Sequence, residues 1–145
     1  MKLIEDVGTI EGASKATKAG MWGSFAFAAF ACLGIALGLS ASSEGVRIGT
    51  LAPIDVASFV ASAAFEMVVA LVAAFRFRKG KGWLIGSIAL AIYIVETVTK
   101  VISGFGIGWF LLYAAIILAL VNGIRGAWAL RKPEELAGHL HETFN

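Results

Sequence analysis

The side chains that could do chemistry in this chain are a few polar groups set inside long apolar runs. Glu66 lies in the middle of one run, and Asn122 and Arg125 lie three residues apart near the end of another. A charge in hydrocarbon costs roughly 2.5–3.5 kcal/mol at mid-helix on insertion scales, so each group needs a partner or a purpose. A carboxylate in this setting can bind a proton or cation, or it can pair with an arginine and hold two helices together.

The depth of these groups follows from the helical rise of about 1.5 Å per residue. Counted from the basic ends of their runs, Glu66 lies ~14 Å deep, Asn122 ~13 Å, Arg125 ~9 Å and Tyr93 ~16 Å. We therefore predict a cluster of Glu66, Asn122 and Arg125, with the Tyr93 hydroxyl donating a hydrogen bond to Glu66. The cluster fixes helix register, couples a proton or cation through Glu66, or contacts another subunit.

A second charged pair, Glu96 and Lys100, has i,i+4 spacing with the glutamate first, which is the more favourable order on a helix. We predict that the two side chains neutralise each other near the far interface, where the lysine ammonium can reach the headgroups.

The patterns of known catalytic and cofactor sites are absent from the sequence. His139 and His141 are the only histidines, and two residues apart they point away from each other on a helix. Without a histidine in an apolar run, this chain alone cannot supply a histidine ligand to haem inside a membrane. There is no glycine-rich phosphate loop, no Ser-His-Asp set and no HExxH. We predict no catalytic residue, no metal, no cofactor and no nucleic-acid partner.

Composition indicates that lipid surrounds most of the chain. Hydrophobic residues make up 59% and charged residues 15%, with a mean hydropathy of +0.84, whereas a soluble domain is about a quarter charged. Four apolar runs are each long enough to cross ~30 Å of hydrocarbon. We predict an all-α polytopic membrane protein, a four-transmembrane-helix bundle, with spans at 21–40, 54–75, 83–103 and 108–130.

The flanking segments complete the predicted organisation. Residues 1–20 form a cytoplasmic or interfacial segment, which lacks the apolar core of a cleavable signal peptide. Residues 41–53 form a polar loop within the transmembrane domain, 21–132. Residues 133–145 form a cytoplasmic tail whose Leu136, Leu140 and Phe144, spaced four apart, predict a short amphipathic helix.

A basic, glycine-containing turn at 76–82 separates the second and third runs. Its four cations are Arg76, Arg78, Lys79 and Lys81. Cytoplasmic loops of membrane proteins carry an excess of such residues, so the turn and both termini are predicted to be cytoplasmic. The cations on that side are Lys2, Lys15, Lys18, Arg76, Arg78, Lys79, Lys81, Arg131 and Lys132, against Arg47 on the other. The turn can also hold anionic lipid headgroups.

Two glycines in the first run, Gly34 and Gly38, have the spacing that lets helix backbones approach closely. We predict that they form a helix-packing site, either within the chain or with another protein.

The stretch Asn122-Gly123-Ile124-Arg125-Gly126-Ala127-Trp128-Ala129 closes the fourth span after the basic turn. In this respect the chain resembles small uncharacterised four-span inner-membrane proteins of bacteria. The resemblance implies the topology and a bacterial inner membrane, and it implies no activity.

By elimination, the sequence favours a protein that acts by binding. Short loops leave little room for a soluble site, so we predict an accessory or scaffold subunit of a larger membrane complex, or a self-associating bundle. The alternative is a small oligomeric ion-coupled transporter that uses Glu66. The chain resembles small multidrug transporters in size and span number, but those carry their key glutamate in the first span, where this chain has none. A membrane enzyme is the third hypothesis.

Overall fold

The computed structural model describes residue 4 and residues 6–47, 53–102 and 108–131, and the regular structure in these ranges is entirely helical. The four helices are α1 (Ile10–Arg47), α2 (Pro53–Arg78), α3 (Trp83–Ile102) and α4 (Gly108–Ala129). The predicted all-α class is therefore confirmed for the described residues, and the predicted tail at 133–145 lies outside them.

Three helices in the described ranges are long and apolar enough to cross a membrane. They contain the stretches Ile10–Ser40, Val56–Arg78 and Phe110–Ala129. The apolar stretch of α3, Trp83–Thr99, is shorter. Large apolar side chains such as Val95, Ile102 and Leu111 stand on the outside of the bundle. Three such helices with an apolar exterior indicate a helical membrane protein.

The first helix is longer at both ends than the sequence predicted. It has 38 residues, which is about 57 Å at ~1.5 Å per residue and exceeds the ~30 Å of hydrocarbon. Thr9 caps its start, because the Thr9 hydroxyl accepts a hydrogen bond of 3.0 Å from the N–H of Gly12. At the predicted boundary after residue 20 the helix continues unbroken, and Ala13 and Ala16 before it are fully buried. The predicted loop at 41–53 is helical up to Arg47.

Each helix packs mainly against two others. The α1 helix makes extensive contacts with α2 and α4, and α3 packs less extensively against the same two helices. The pairs α1/α3 and α2/α4 touch at few points, so they occupy the diagonals of the bundle. The centre is aromatic. Tyr93 of α3 lies between Phe27 of α1, with ring centroids 4.6 Å apart, and Tyr113 of α4, 5.7 Å away.

The basic turn between α2 and α3 has a defined backbone. The N–H of Lys81 donates to the carbonyl of Arg76, and the N–H of Gly80 donates to the carbonyl of Phe77. These are the two hydrogen bonds of a Schellman motif. Gly80 has a φ of 67°, the left-handed conformation that this position requires and that glycine adopts without strain. The turn therefore holds its cations on a fixed loop.

At the same end of the bundle, α1 and α4 cross with almost no side chain between them. A Cβ on Gly20 would overlap the Cα of Gly123, and one on Gly126 would come within 2.5 Å of the carbonyl oxygen of Ala13. The ring of Phe77, 1% exposed, fills the adjacent space, against Gly20, Gly123 and two glycines of the turn and α3, Gly82 and Gly86. Small residues thus bring three helices together around one aromatic side chain.

Candidate functional site

Two acidic side chains from neighbouring helices line the same spaces in the apolar part of the bundle. Glu66 of α2 and Glu96 of α3 both line a groove of about 490 Å³. Both also line a smaller cavity of about 160 Å³. Each side chain is half-buried. The two carboxylates therefore form part of the wall of both spaces, and we call them the acidic pair.

The larger space opens on the outside of the bundle between α2 and α3. Besides the acidic pair it is lined by Ala91, Ile92, Val95 and Thr99. Ala91, Val95 and Thr99 are exposed, so this space is a surface groove rather than an enclosed cavity. Its lining is apolar except for the acidic pair and the hydroxyl of Thr99, so the acidic pair carries the ionisable chemistry of this groove.

The smaller cavity lies among three helices. Phe30, Ala31 and Gly34 line it from α1, Phe59, Ser62, Ala63 and Glu66 from α2, and Glu96 from α3. Gly34 leaves space here, because a Cβ at this position would meet no atom within 4 Å. Phe59 lies nearer the far end of α2 than Glu66, so the cavity extends from the acidic pair away from the basic turn.

The structure does not place Arg125 beside Glu66. Arg125 is exposed on α4, and it lines neither space that Glu66 lines. The reason is the diagonal placement of α2 and α4, which touch at few points. Asn122 is buried, 6% exposed, whereas Arg125 one turn later faces outward, so these two side chains do not share an environment either.

Tyr93 also has a different role from the predicted one. Its side chain is 1% exposed, and within the described residues its hydroxyl has no hydrogen-bond partner, so it does not donate to Glu66. The ring instead packs against Phe27 and Tyr113 in the core. Tyr93 lies three residues before Glu96, which places the aromatic core directly beside the acidic pair.

Three further predicted residues, Lys100, Gly38 and Gly34, belong to the half of the bundle away from the basic turn. The side chain of Lys100 lies outside the described part of the structure, so its pairing with Glu96 stays a prediction. Gly38 lies against the ring of Phe59 of α2, which is a contact within the chain. Gly34 faces open space and makes no close helix contact, because the cavity separates α1 from α2 at that level.

Three of the four cations of the basic turn line one cavity of about 630 Å³. These are Arg76, Lys79 and Lys81, whereas Arg78 does not line it. Gly80, Trp83, Leu130 and Arg131 complete the lining. The cavity thus joins the α2–α3 turn to the end of α4, and it includes Arg131, which the sequence placed only among the topological cations.

The sequence contains a pattern that predicts the acidic pair. The depth estimates, which treated each residue by itself, did not use this pattern. In a helical hairpin, residues equally far from the turn lie at the same level. At ~1.5 Å per residue, Glu66 is about 18 Å from Arg78 and Glu96 is about 20 Å from Trp83. The glycine crossing also had a signal, since Gly20 and Gly23 in α1 and Gly123 and Gly126 in α4 repeat the same short spacing.

Two carboxylates on one groove can share a proton, bind a cation or accept hydrogen bonds from a basic side chain. Among the described residues, no group of three or more His, Cys, Asp and Glu side chains could hold a metal ion. By its own chemistry, a carboxylate pair in an apolar groove suits a proton, a weakly held cation or a side chain from another protein. No family model, curated protein or solved structure matches the chain.

Proposed function

We propose that this protein is a non-catalytic integral membrane protein that binds a second membrane segment through the groove of the acidic pair. It acts as an accessory or scaffold subunit of a larger membrane complex, or it associates with itself. The observation that carries the proposal is the placement of Glu66 and Glu96 on a groove that opens to the outside of the bundle.

The physical reason is the cost of a carboxylate against acyl chains, several kcal/mol for a charged group at mid-bilayer. A groove wall that contains two carboxylates is a poor surface for lipid. A polar or basic side chain from another helix can form interhelical hydrogen bonds there, worth ~1–2 kcal/mol in model peptides. The exposed Val95 and Ala91 provide the apolar contact beside it. The partner we propose is therefore a transmembrane helix with a polar or basic residue at that depth.

The proposed orientation places both termini and the basic turn in the cytoplasm, in the inner membrane of a bacterium, with all four helices spanning. The count of cations supports this orientation, and the resemblance at Asn122–Ala129 supports the membrane. An impermeant maleimide applied to intact cells tests it, in a background without Cys32. Glu44→Cys and Phe105→Cys should be labelled and Lys79→Cys should not. Labelling of Lys79→Cys alone would reverse the orientation.

Complex formation tests the binding function. The full chain, purified in mild detergent from its native membrane, should run in a stoichiometric assembly larger than one chain by native mass measurement. Glu66→Gln with Glu96→Gln should reduce that assembly several-fold. Glu11→Gln is the matched control, because Glu11 is an exposed carboxylate that forms a 2.7 Å ion pair with Lys15 outside the groove. A monomer in every preparation, or equal losses in both variants, would refute the proposal.

The second candidate is a small oligomeric ion-coupled transporter that uses Glu66. The observation that favours it is the position of the acidic pair between a surface groove and an inner cavity. A carboxylate reached from two spaces can exchange a proton or cation between them. Reconstituted vesicles with a proton gradient test this: a flux that Glu66→Gln abolishes, without loss of thermal stability, would replace the binding function with transport.

A further inference from the structure

The cavity at the basic turn has a strongly positive lining. Arg76, Lys79, Lys81 and Arg131 contribute four cations, and none of the other lining residues, Gly80, Trp83 and Leu130, is acidic. Like charges gathered on one cavity repel each other, and an anion in their midst relieves that repulsion. At about 630 Å³ the cavity has the size of a small-ligand site.

Backbone geometry fixes the positions from which the side chains of the turn extend. The two hydrogen bonds of the Schellman motif fix the chain between Arg76 and Lys81. The α3 helix begins at Trp83, so the partial positive charge of its N-terminus adds to that of the side chains. The cations of the turn and the start of a helix therefore act on the same space.

Arg131 reaches the cavity from the other side, beyond the end of α4. Its guanidinium carbon lies 5.2 Å from the centre of the Trp83 ring, a cation–π contact. Trp83 is itself held edge-on by Trp128, with ring centroids 5.1 Å apart. A guanidinium held through its face keeps its N–H donors free in the plane of the group, which is the geometry that matches phosphate oxygens.

The cavity also lies at the ends of apolar helices. Arg76 is in the last turn of α2, Trp83 opens α3, and Arg131 follows α4. Leu84 and Trp128, 59% and 51% exposed, present apolar surface to the outside just beside it. A ligand with a phosphate in the cavity and hydrocarbon along these side chains would satisfy both surfaces.

We propose that this cavity is a specific site for the phosphate-bearing headgroup of an anionic phospholipid. The alternative, that the cations only set topology, makes all four cations of the turn equivalent. The structure makes them unequal, because Arg76, Lys79 and Lys81 line the cavity and Arg78 does not. Arg78 is therefore the matched control for Lys81 and Arg131.

The experiment measures lipid retained by the purified full chain, by native mass spectrometry from mixed micelles of phosphatidylglycerol and phosphatidylcholine. The expected result is preferential retention of phosphatidylglycerol. Each juxtamembrane cation contributes about 1 kcal/mol to such binding, which is roughly fivefold. Arg131→Gln and Lys81→Gln should each lower retention by about fivefold, and Arg78→Gln by less than twofold. Equal losses in all three variants would show diffuse attraction and overturn the site.

Two further arms test the chemistry of the ligand. Trp83→Leu should lower retention as Arg131→Gln does, while Trp83→Phe should keep most of it, because an aromatic face is restored under Arg131. Thermal unfolding of each variant reports whether the fold is intact. Inorganic phosphate at millimolar concentration should not displace the lipid, since it lacks the acyl contacts. Full displacement would show a site for free phosphate and overturn the assignment to lipid.

Discussion

Two glycines at different levels of this bundle have opposite surroundings, Gly20 in the half with the basic turn and Gly34 in the other half. At the end with the basic turn, Gly20 and Gly123 bring α1 and α4 into backbone contact, and Phe77 fills the space beside them. In the other half, Gly34 faces open space, and a cavity and a groove surround Glu66 and Glu96. The half where Gly20, Gly123 and Phe77 pack, which we call the closed end, provides a rigid base, and the acidic pair lies where packing is incomplete.

This difference teaches where binding can occur in a small membrane protein. Helix association in lipid depends on van der Waals packing, because hydrocarbon removes the hydrophobic drive between helices. In a chain of this size, one half of the bundle can be loosely packed only if packing in the other half keeps the helices together. The glycine crossing and the buried ring of Phe77 keep the helices together, so the proposed partner groove does not have to be filled by the chain itself.

The largest expected effect comes from emptying the closed end. Phe77→Ala removes a ring that is 1% exposed and lies against four glycines, which cannot fill the space. Buried Phe→Ala changes cost ~3–5 kcal/mol in soluble proteins, and we expect the loss in detergent to approach the lower figure. Thermal unfolding followed by circular dichroism measures it. Phe75→Ala is the control, because Phe75 is 54% exposed, and equal losses would contradict the comparison.

The next effect comes from overfilling the closed end. Gly123→Leu places a side chain where its Cβ would overlap the Cα of Gly20 and lie 3.1 Å from the ring of Phe77. Overpacking costs ~1–3 kcal/mol in well-packed cores, so the midpoint of thermal unfolding should fall by several degrees. At Gly34 a Cβ meets no atom within 4 Å and a cavity of about 160 Å³ lies beside it, so the same change there should lower the midpoint less. A larger loss at Gly34 than at Gly123 would reverse the roles given to the two halves.

A smaller effect tests whether the acidic pair is coupled. In a double-mutant cycle, Glu66→Gln and Glu96→Gln should show an interaction energy of about 0.6 kcal/mol or more, since polar groups in membrane bundles couple by that amount. The cycle of Glu66→Gln with Arg125→Leu should be additive within ~0.5 kcal/mol, because these residues lie on diagonal helices. Unfolding in detergent measures both cycles, and coupling only in the second would restore the cluster that the sequence suggested.

The sequence predicted the helices well because apolar runs and a basic turn determine them locally. The ends of α1 were harder to predict from the sequence, since the residues around Gly20 and Ser42 are compatible with both a helix and a loop. The candidate site was harder to predict, because it depends on which helices are neighbours. No local sequence pattern gives that information. Depth estimates placed Glu66 near Arg125, whereas the hairpin places it beside Glu96. Likewise, the spacing of Gly34 and Gly38 resembles that of a close crossing, but only the bundle shows that the crossing uses Gly20 and Gly123.

The smallest effect sharpens the contrast between the two kinds of glycine. Gly34→Ala adds a methyl group that would meet no atom within 4 Å, in a helix whose backbone needs no positive φ there. Alanine is favoured over glycine in a helix by up to ~1 kcal/mol, so this variant should be slightly more stable than the natural chain. Gly20→Ala gains the same propensity, but its methyl group would overlap the Cα of Gly123, so it should be less stable. Unfolding midpoints of the two variants, measured side by side, should therefore move in opposite directions. A rise in both midpoints would mean that helix propensity, rather than the space around each glycine, decides stability, and a fall in both would contradict the open space at Gly34.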